Sequence, residues 1–317
     1  MSKLMLILLL FMTKAFMAAG VSSIGGQDSL VFPVEEYNGI NYDVRLFCDS
    51  KGSPQYYYAD IFTPVCDDDI CKPVYIKLQW DLLGSYLRYT VPMQQPLTKV
   101  DHEEFSAEEY EQLHSILADS NSLLKDYKMD ELVASTSETT PGEVDAVTGA
   151  TKKSLQALTV SGALYTCYTL WHISHGRVVD TIKRITDTMM SSKLLSEFLV
   201  SQNHRYQYYA LDKVLDSDGI VAKGYEQKVI NLIRNPNVFI ASRVLKKLSP
   251  RYFQSTAQQQ WLWETFLTGN YRLKVGVLEK FGELSLKEDI KDLLGTHQHK
   301  YNEDIAKRIE TLLKKPL

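Results

Sequence analysis

The run Asp145-Ala146-Val147-Thr148-Gly149-Ala150-Thr151 brings a carboxylate, two hydroxyls and two nearly bare backbone positions within seven residues. A hydroxyl in such surroundings is suited to esterification by a phosphate. The ester needs a hydroxyl that is exposed during attachment, and it then sits best where backbone N–H groups and the positive end of a helix dipole meet its charge. The stretch from Ser154 to Trp171 has no Pro and one Gly, with apolar residues at Leu155, Leu158, Ala163, Leu164, Cys167, Leu170 and Trp171. This pattern predicts a long, largely buried helix whose start lies just beyond Thr151. Gly149 and Ala150 let a bulky group approach the backbone closely. Thr148 can cap the helix or donate to a phosphate oxygen, Lys152 and Lys153 can balance its charge, and Asp145 beside a phosphodiester points to magnesium during the transfer. The same residue types also build a turn followed by an N-cap, an alternative that accounts for Thr and Gly but not for the Asp.

The run resembles the flavinylation motif of the FMN-binding domain family, found in the covalent-FMN subunits of sodium-pumping NADH:quinone oxidoreductases and Rnf-type complexes. That pattern is Asp, two free positions, Ser or Thr, Gly, Ala, then Thr or Ser, and Asp145, Thr148, Gly149, Ala150 and Thr151 meet each fixed position. A chance match is expected on the order of once per thousand chains of this length. The resemblance implies FMN joined through its phosphate to Thr151 by a magnesium-dependent flavin transferase, with Asp145 as a recognition residue for that enzyme. It also implies an electron-transfer flavoprotein rather than a self-contained catalyst, working outside the cytoplasm with a redox partner protein or a membrane complex. The resemblance covers about residues 145 to 172 and is only general over the strands before them. Lys152 and Lys153 stand where the family commonly has small, apolar or hydroxylic residues, and no Gly-rich segment lies upstream.

Around a flavin ring, Tyr165, Tyr168 and Trp171 are candidates for stacking, although aromatics at helical spacing more often belong to a core. His172 and His175 have metal-ligand spacing but no third ligand nearby, which favours a helix end where His complements the dipole. The spacing of Cys66 and Cys71 fits a disulfide across a hairpin better than zinc, and Cys167 reads as a buried thiol. No dinucleotide fingerprint and no nucleophile with a base at a recognisable spacing is present, so a hydrolase has no support.

The elements that must position these groups fall into two kinds. Strands are predicted over Asn41 to Phe47, Gln55 to Phe62, Val74 to Trp80 and Ser85 to Val91, an antiparallel meander, followed by a helix from Phe105 to Leu117 capped at Ser106. From Val178 onward the pattern is helical and repeats. Asn203, Asn237, Asn270 and Asn302 are spaced 34, 33 and 32 residues apart, each opening an amphipathic segment with apolar residues three and seven positions on, and in the first three also eleven on. Asn is a favourable N-cap, and helix pairs at such a period describe an α-solenoid resembling HEAT or armadillo-type repeats, with an irregular bundle as the alternative. Lys3, the apolar run Leu4 to Met12 and the small residues Ala18 to Gly20 outline a signal peptide, too short for a membrane span.

The expected chain is therefore α+β: a signal peptide over 1–20, an antiparallel-sheet FMN-binding-like domain over 21–176, and an all-α HEAT-like repeat domain over 177–317. The expected product is an extracytoplasmic, periplasmic flavoprotein, and the alternative is an exported interaction module without flavin. Residues 1–176 hold 12 Lys and Arg against 23 Asp and Glu, while 177–317 hold 23 against 16. The basic half carries no nucleic-acid-reading motif. Its charge suits either docking on the acidic half or capture of an acidic redox partner.

Overall fold

The computed structural model describes residues 22–24, 27–66, 71–99, 102–128 and 158–314, and of residues 22–29 the backbone path alone. The chain is α+β and divides into two compact units, Met1–Met189 and Met190–Leu317. In the first, a short hairpin of β1 (Ser22–Ile24) and β2 (Gln27–Ser29) precedes β3 (Val31–Glu35), β4 (Asn41–Cys48), β5 (Pro54–Thr63), β6 (Val74–Trp80) and β7 (Tyr86–Thr90). Strands β3 to β7 form one antiparallel sheet in sequential order, and four of the five match the expected strands. Strand β3 carries no prior expectation, because Pro33 interrupts its pattern. Pro is tolerated on an edge strand, where an N–H need not be donated, and β3 is that edge.

Alternation gives the sheet one buried face, with Tyr57, Ala59, Ile61, Ile76, Leu78 and Trp80 fully excluded from solvent, and breaks at the end of β6, where Gln79 is buried as well. Helix α1 (Ala107–Ala118) begins with the expected capping box, Ser106 accepting from Glu109 N and the Glu109 side chain accepting from Ser106 N. Helix α2 (Leu164–His175) and helix α3 (Arg177–Met189) close the buried face. Trp80 donates its indole N–H to Ser174 O at 2.8 Å, and the Tyr57 and Thr186 hydroxyls meet at 3.0 Å. Helix α3, grouped by pattern with the C-terminal helices, thus lies in the first unit.

Residues 154–157 of the helix predicted from Ser154 lie outside the described residues, and the described helix starts at Leu164. Residues 158–163 are turns, with Ala163 N bonded to Val160 O and Gly162 at φ +73°. A single Gly reads as tolerable inside a helix, whereas here its left-handed conformation is what breaks the helix.

The second unit is a series of helix pairs: α4 (Ser192–Val200) with α5 (His204–Val214), α6 (Glu226–Asn231) with α7 (Val238–Lys247), α8 (Thr256–Thr268) with α9 (Tyr271–Phe281), and α10 (Glu288–His297) with α11 (Glu303–Leu313). Asn203, Asn237, Asn270 and Asn302 are the N-caps of α5, α7, α9 and α11, each side chain accepting from a backbone N–H of the first turn. Seven positions on, Ala210, Val244, Val277 and Ile309 are all buried. No helix of the described residues is long and apolar enough to cross a membrane.

Candidate functional site

The expected cofactor residues Asp145, Thr148, Gly149, Ala150 and Thr151, with Lys152 and Lys153, lie outside the described residues, as do residues 1–20. The residues on either side of 129–157 both bond to α2. Tyr168 donates its hydroxyl to Tyr127 O at 3.2 Å. On the returning side Gln112 of α1 donates to Thr159 O at 3.1 Å, and Val160 N donates to the Cys167 thiol at 3.3 Å.

Beside this junction is a cleft of about 310 Å³ whose walls include Tyr37, Asn38, Cys66, Tyr165, Tyr168 and Thr169. Its volume is at the lower end for small-molecule pockets, and its aromatic walls with few polar groups match their usual chemistry. Burial pushes the Tyr37 hydroxyl up to about 12, with a smaller opposing effect from its bond to Thr169. The hydroxyl therefore stays protonated and can act as a donor. The lip carries the Cys66–Cys71 disulfide, Cα atoms 5.9 Å apart, which bridges the β5–β6 hairpin as the spacing predicts. Cys167 is fully buried and its thiol is pushed up to about 12 by desolvation, so it is inert as a nucleophile.

Of the three aromatics expected near a flavin, Tyr165 and Tyr168 line the cleft, but Trp171 does not. It is buried and donates its indole N–H to Asp119 O at 2.9 Å. His172 Nε2 meets Leu124 O at 3.2 Å and His175 Nε2 meets Leu117 O at 2.9 Å. Only an N–H can bond a carbonyl, so both rings carry a proton on Nε2. Trp171 and His175 thereby satisfy carbonyls that the C-terminus of α1 leaves without intrahelical partners, and His172 holds the short 3-10 helix Leu123–Asp126 beyond it. A metal role for the histidines has no support in this arrangement, and no cluster of metal-ligating side chains occurs among the described residues.

A larger cleft of about 720 Å³, lined by Tyr89, Val91, Met93, Tyr110, Glu111 and His114, lies between β7 and α1. Tyr86 and His114 Nδ1 are hydrogen-bonded at 3.0 Å beside it, and Tyr89 donates to Tyr110 O at 2.7 Å. Sequence reasoning missed it, because residues from a strand and a helix twenty positions apart carry no shared motif. Compared with protein-family models, curated proteins and solved structures, the chain matches none.

Proposed function

We propose that the chain is an exported flavoprotein that carries FMN as a phosphoester on Thr151 and transfers electrons outside the cytoplasm. The observation that carries this reading is the complete Asp145-x-x-Thr148-Gly149-Ala150-Thr151 pattern. Two features of the fold support it. Thr151 lies seven residues before Leu158, hence within about 25 Å of it at full extension, and the tyrosine-lined cleft adjoins that junction. The cleft suits a flat ring of mixed polarity: Tyr165 and Tyr37 stand in its walls with the largely buried Tyr168 behind them, and Tyr37 and Thr169 carry hydroxyls. FMN, when bound, supplies the one- and two-electron chemistry, and the chain's residues hold, shield and orient it. No basic side chain lines the cleft, so the phosphate belongs with Thr151 and the lysines that follow it.

The helix pairs of the second unit support the solenoid reading, and with it a docking role for a redox partner. Residues about one period apart are bonded across pairs: Arg243 with Asp212, Arg234 with Glu264, Lys280 with Leu248 O and Tyr271 with Asp304. Such nearest-neighbour linkage is what a stacked repeat requires.

The test is intact-mass analysis of the protein co-expressed with a flavin transferase, read beside Thr151→Ala. Wild type is expected to gain one FMN less one water and the variant nothing. Covalent flavin retained by the variant moves the acceptor elsewhere, and a wild type without added mass leaves an exported interaction module as the account.

A further inference from the structure

The solvent face of the β3–β7 sheet carries an aromatic pair at each of two ends. At one end Phe47 and Tyr56, paired across β4 and β5, stack with centroids 4.7 Å apart and planes within 16°. At the other end Phe62 and Tyr75 pair across β5 and β6, with Phe62 61% exposed. Between these ends the register aligns Arg45, Tyr58, the largely buried Gln79 and Arg88 in one rank across four strands. The next rank pairs Asp60 with Lys77. Their polar groups are held in place by one another: Arg88 Nε donates to Gln79 Oε1 at 2.7 Å, Arg45 and Lys77 flank Asp60 at 3.5 and 3.4 Å, and Lys77 lies 4.9 Å from the Tyr58 ring centre.

We propose that this face binds a neutral oligosaccharide. A sugar ring offers C–H faces that pack on aromatic rings and a rim of hydroxyls that both donate and accept. The sheet offers rings at both ends and fixed planar hydrogen-bonding groups between them. Along β5 the track from Tyr56 to Phe62 is roughly 20 Å at ~3.3 Å per residue, room for several linked sugars. Sheet faces of this kind serve oligosaccharides and single-stranded nucleic acids alike in other β folds. Charge separates the two. The solvent face holds Arg45, Lys77 and Arg88 against Glu35, Asp43 and Asp60, a balance that gives no purchase on a polyanion. A protein partner fits poorly for another reason: protein interfaces put apolar residues at the centre and polar ones at the rim, and here that order is reversed. The inference does not depend on whether Thr151 carries a flavin.

The test is native affinity electrophoresis of the full chain in gels containing, one at a time, barley β-glucan, hydroxyethylcellulose, xyloglucan, galactomannan or yeast α-mannan. Parallel measurements use polygalacturonate and a 20-nucleotide oligo-dT. Wild type is expected to be retarded by at least one neutral polysaccharide. Phe62→Ala and Arg88→Ala are each expected to weaken that retardation about tenfold or more, Phe62→Ala with the thermal midpoint unchanged and Arg88→Ala, which takes a partner from Gln79, with the far-UV circular dichroism unchanged. Retardation by none of the neutral polysaccharides, retardation indifferent to both substitutions, or binding confined to polygalacturonate or to the oligonucleotide would each overturn the proposal.

Discussion

Glu36 joins two parts of the first unit that are far apart in sequence. Its buried carboxylate accepts from Val178 N at 2.6 Å and Arg177 N at 3.1 Å, and so caps α3 from strand β3's end. Burial raises its pKa, while these backbone bonds pull the other way. Gly176 is required by the same contact, since a β-carbon there would collide with the Glu36 carboxylate and with His172 O. His172 provides a titration test. Burial lowers its pKa below 6.5, against the opposing pull of its bond to Leu124 O. The unfolded chain therefore takes up a proton at a higher pH than the folded one. His172 contributes stability that is present above about pH 6.5 and lost as pH falls through its depressed folded value. His172→Gln, which keeps an N–H donor but does not titrate, is expected to flatten the fall of the thermal midpoint on the acid side of pH 6.5. Identical slopes for variant and wild type would refute the assignment.

At the scale of elements, the Asn caps explain where the second unit's helices begin. Asn237 accepts from Phe239 N at 3.0 Å and Ile240 N at 3.4 Å, satisfying donors that a helix start leaves open. Asn237→Ala is expected to cost about 1 kcal/mol in urea unfolding, and Asn237→Asp to retain most of the stability. Equal losses in both would mean that the amide does something other than cap. The links between pairs follow the register as well. Arg243 and Arg308, each six positions past its cap, reach Asp212 and Glu279, each nine past the preceding cap. In the intervening helix the sixth position is Gly276, and Leu245 of α7 packs against it.

For the whole molecule, the division after Met189 rather than at the change of pattern near Gly176 has a packing cause. Val178, Ile182 and Thr186 of α3 are buried, and Thr186 meets Tyr57 under the sheet. A fragment of residues 21–189 is expected to unfold cooperatively. A fragment of 21–176 loses those side chains and exposes the sheet's inner face, with a penalty on the scale of several core truncations. Circular dichroism during thermal unfolding distinguishes them, and matching midpoints would place α3 outside the first cooperative unit.

What the sequence determined by itself was local and periodic. Alternation named four strands, the Ser106–Glu109 spacing named a capped helix, and four evenly spaced Asn residues named four helix starts. Each of these depends on neighbours within a turn or two. The hairpin bridge Cys66–Cys71 belongs to the same class. Tertiary structure decided what spacing cannot express. It gave Trp171 and His175 to carbonyls at the end of α1 and His172 to Leu124 O beyond it, leaving Tyr165 and Tyr168 at a cleft with Tyr37. It turned Gly162 from a tolerated helix residue into the break that moves the start of α2 to Leu164. It also set Arg45, Tyr58, Gln79 and Arg88 in one rank, because strand register is fixed by which face of each strand is buried and not by any distance along the chain.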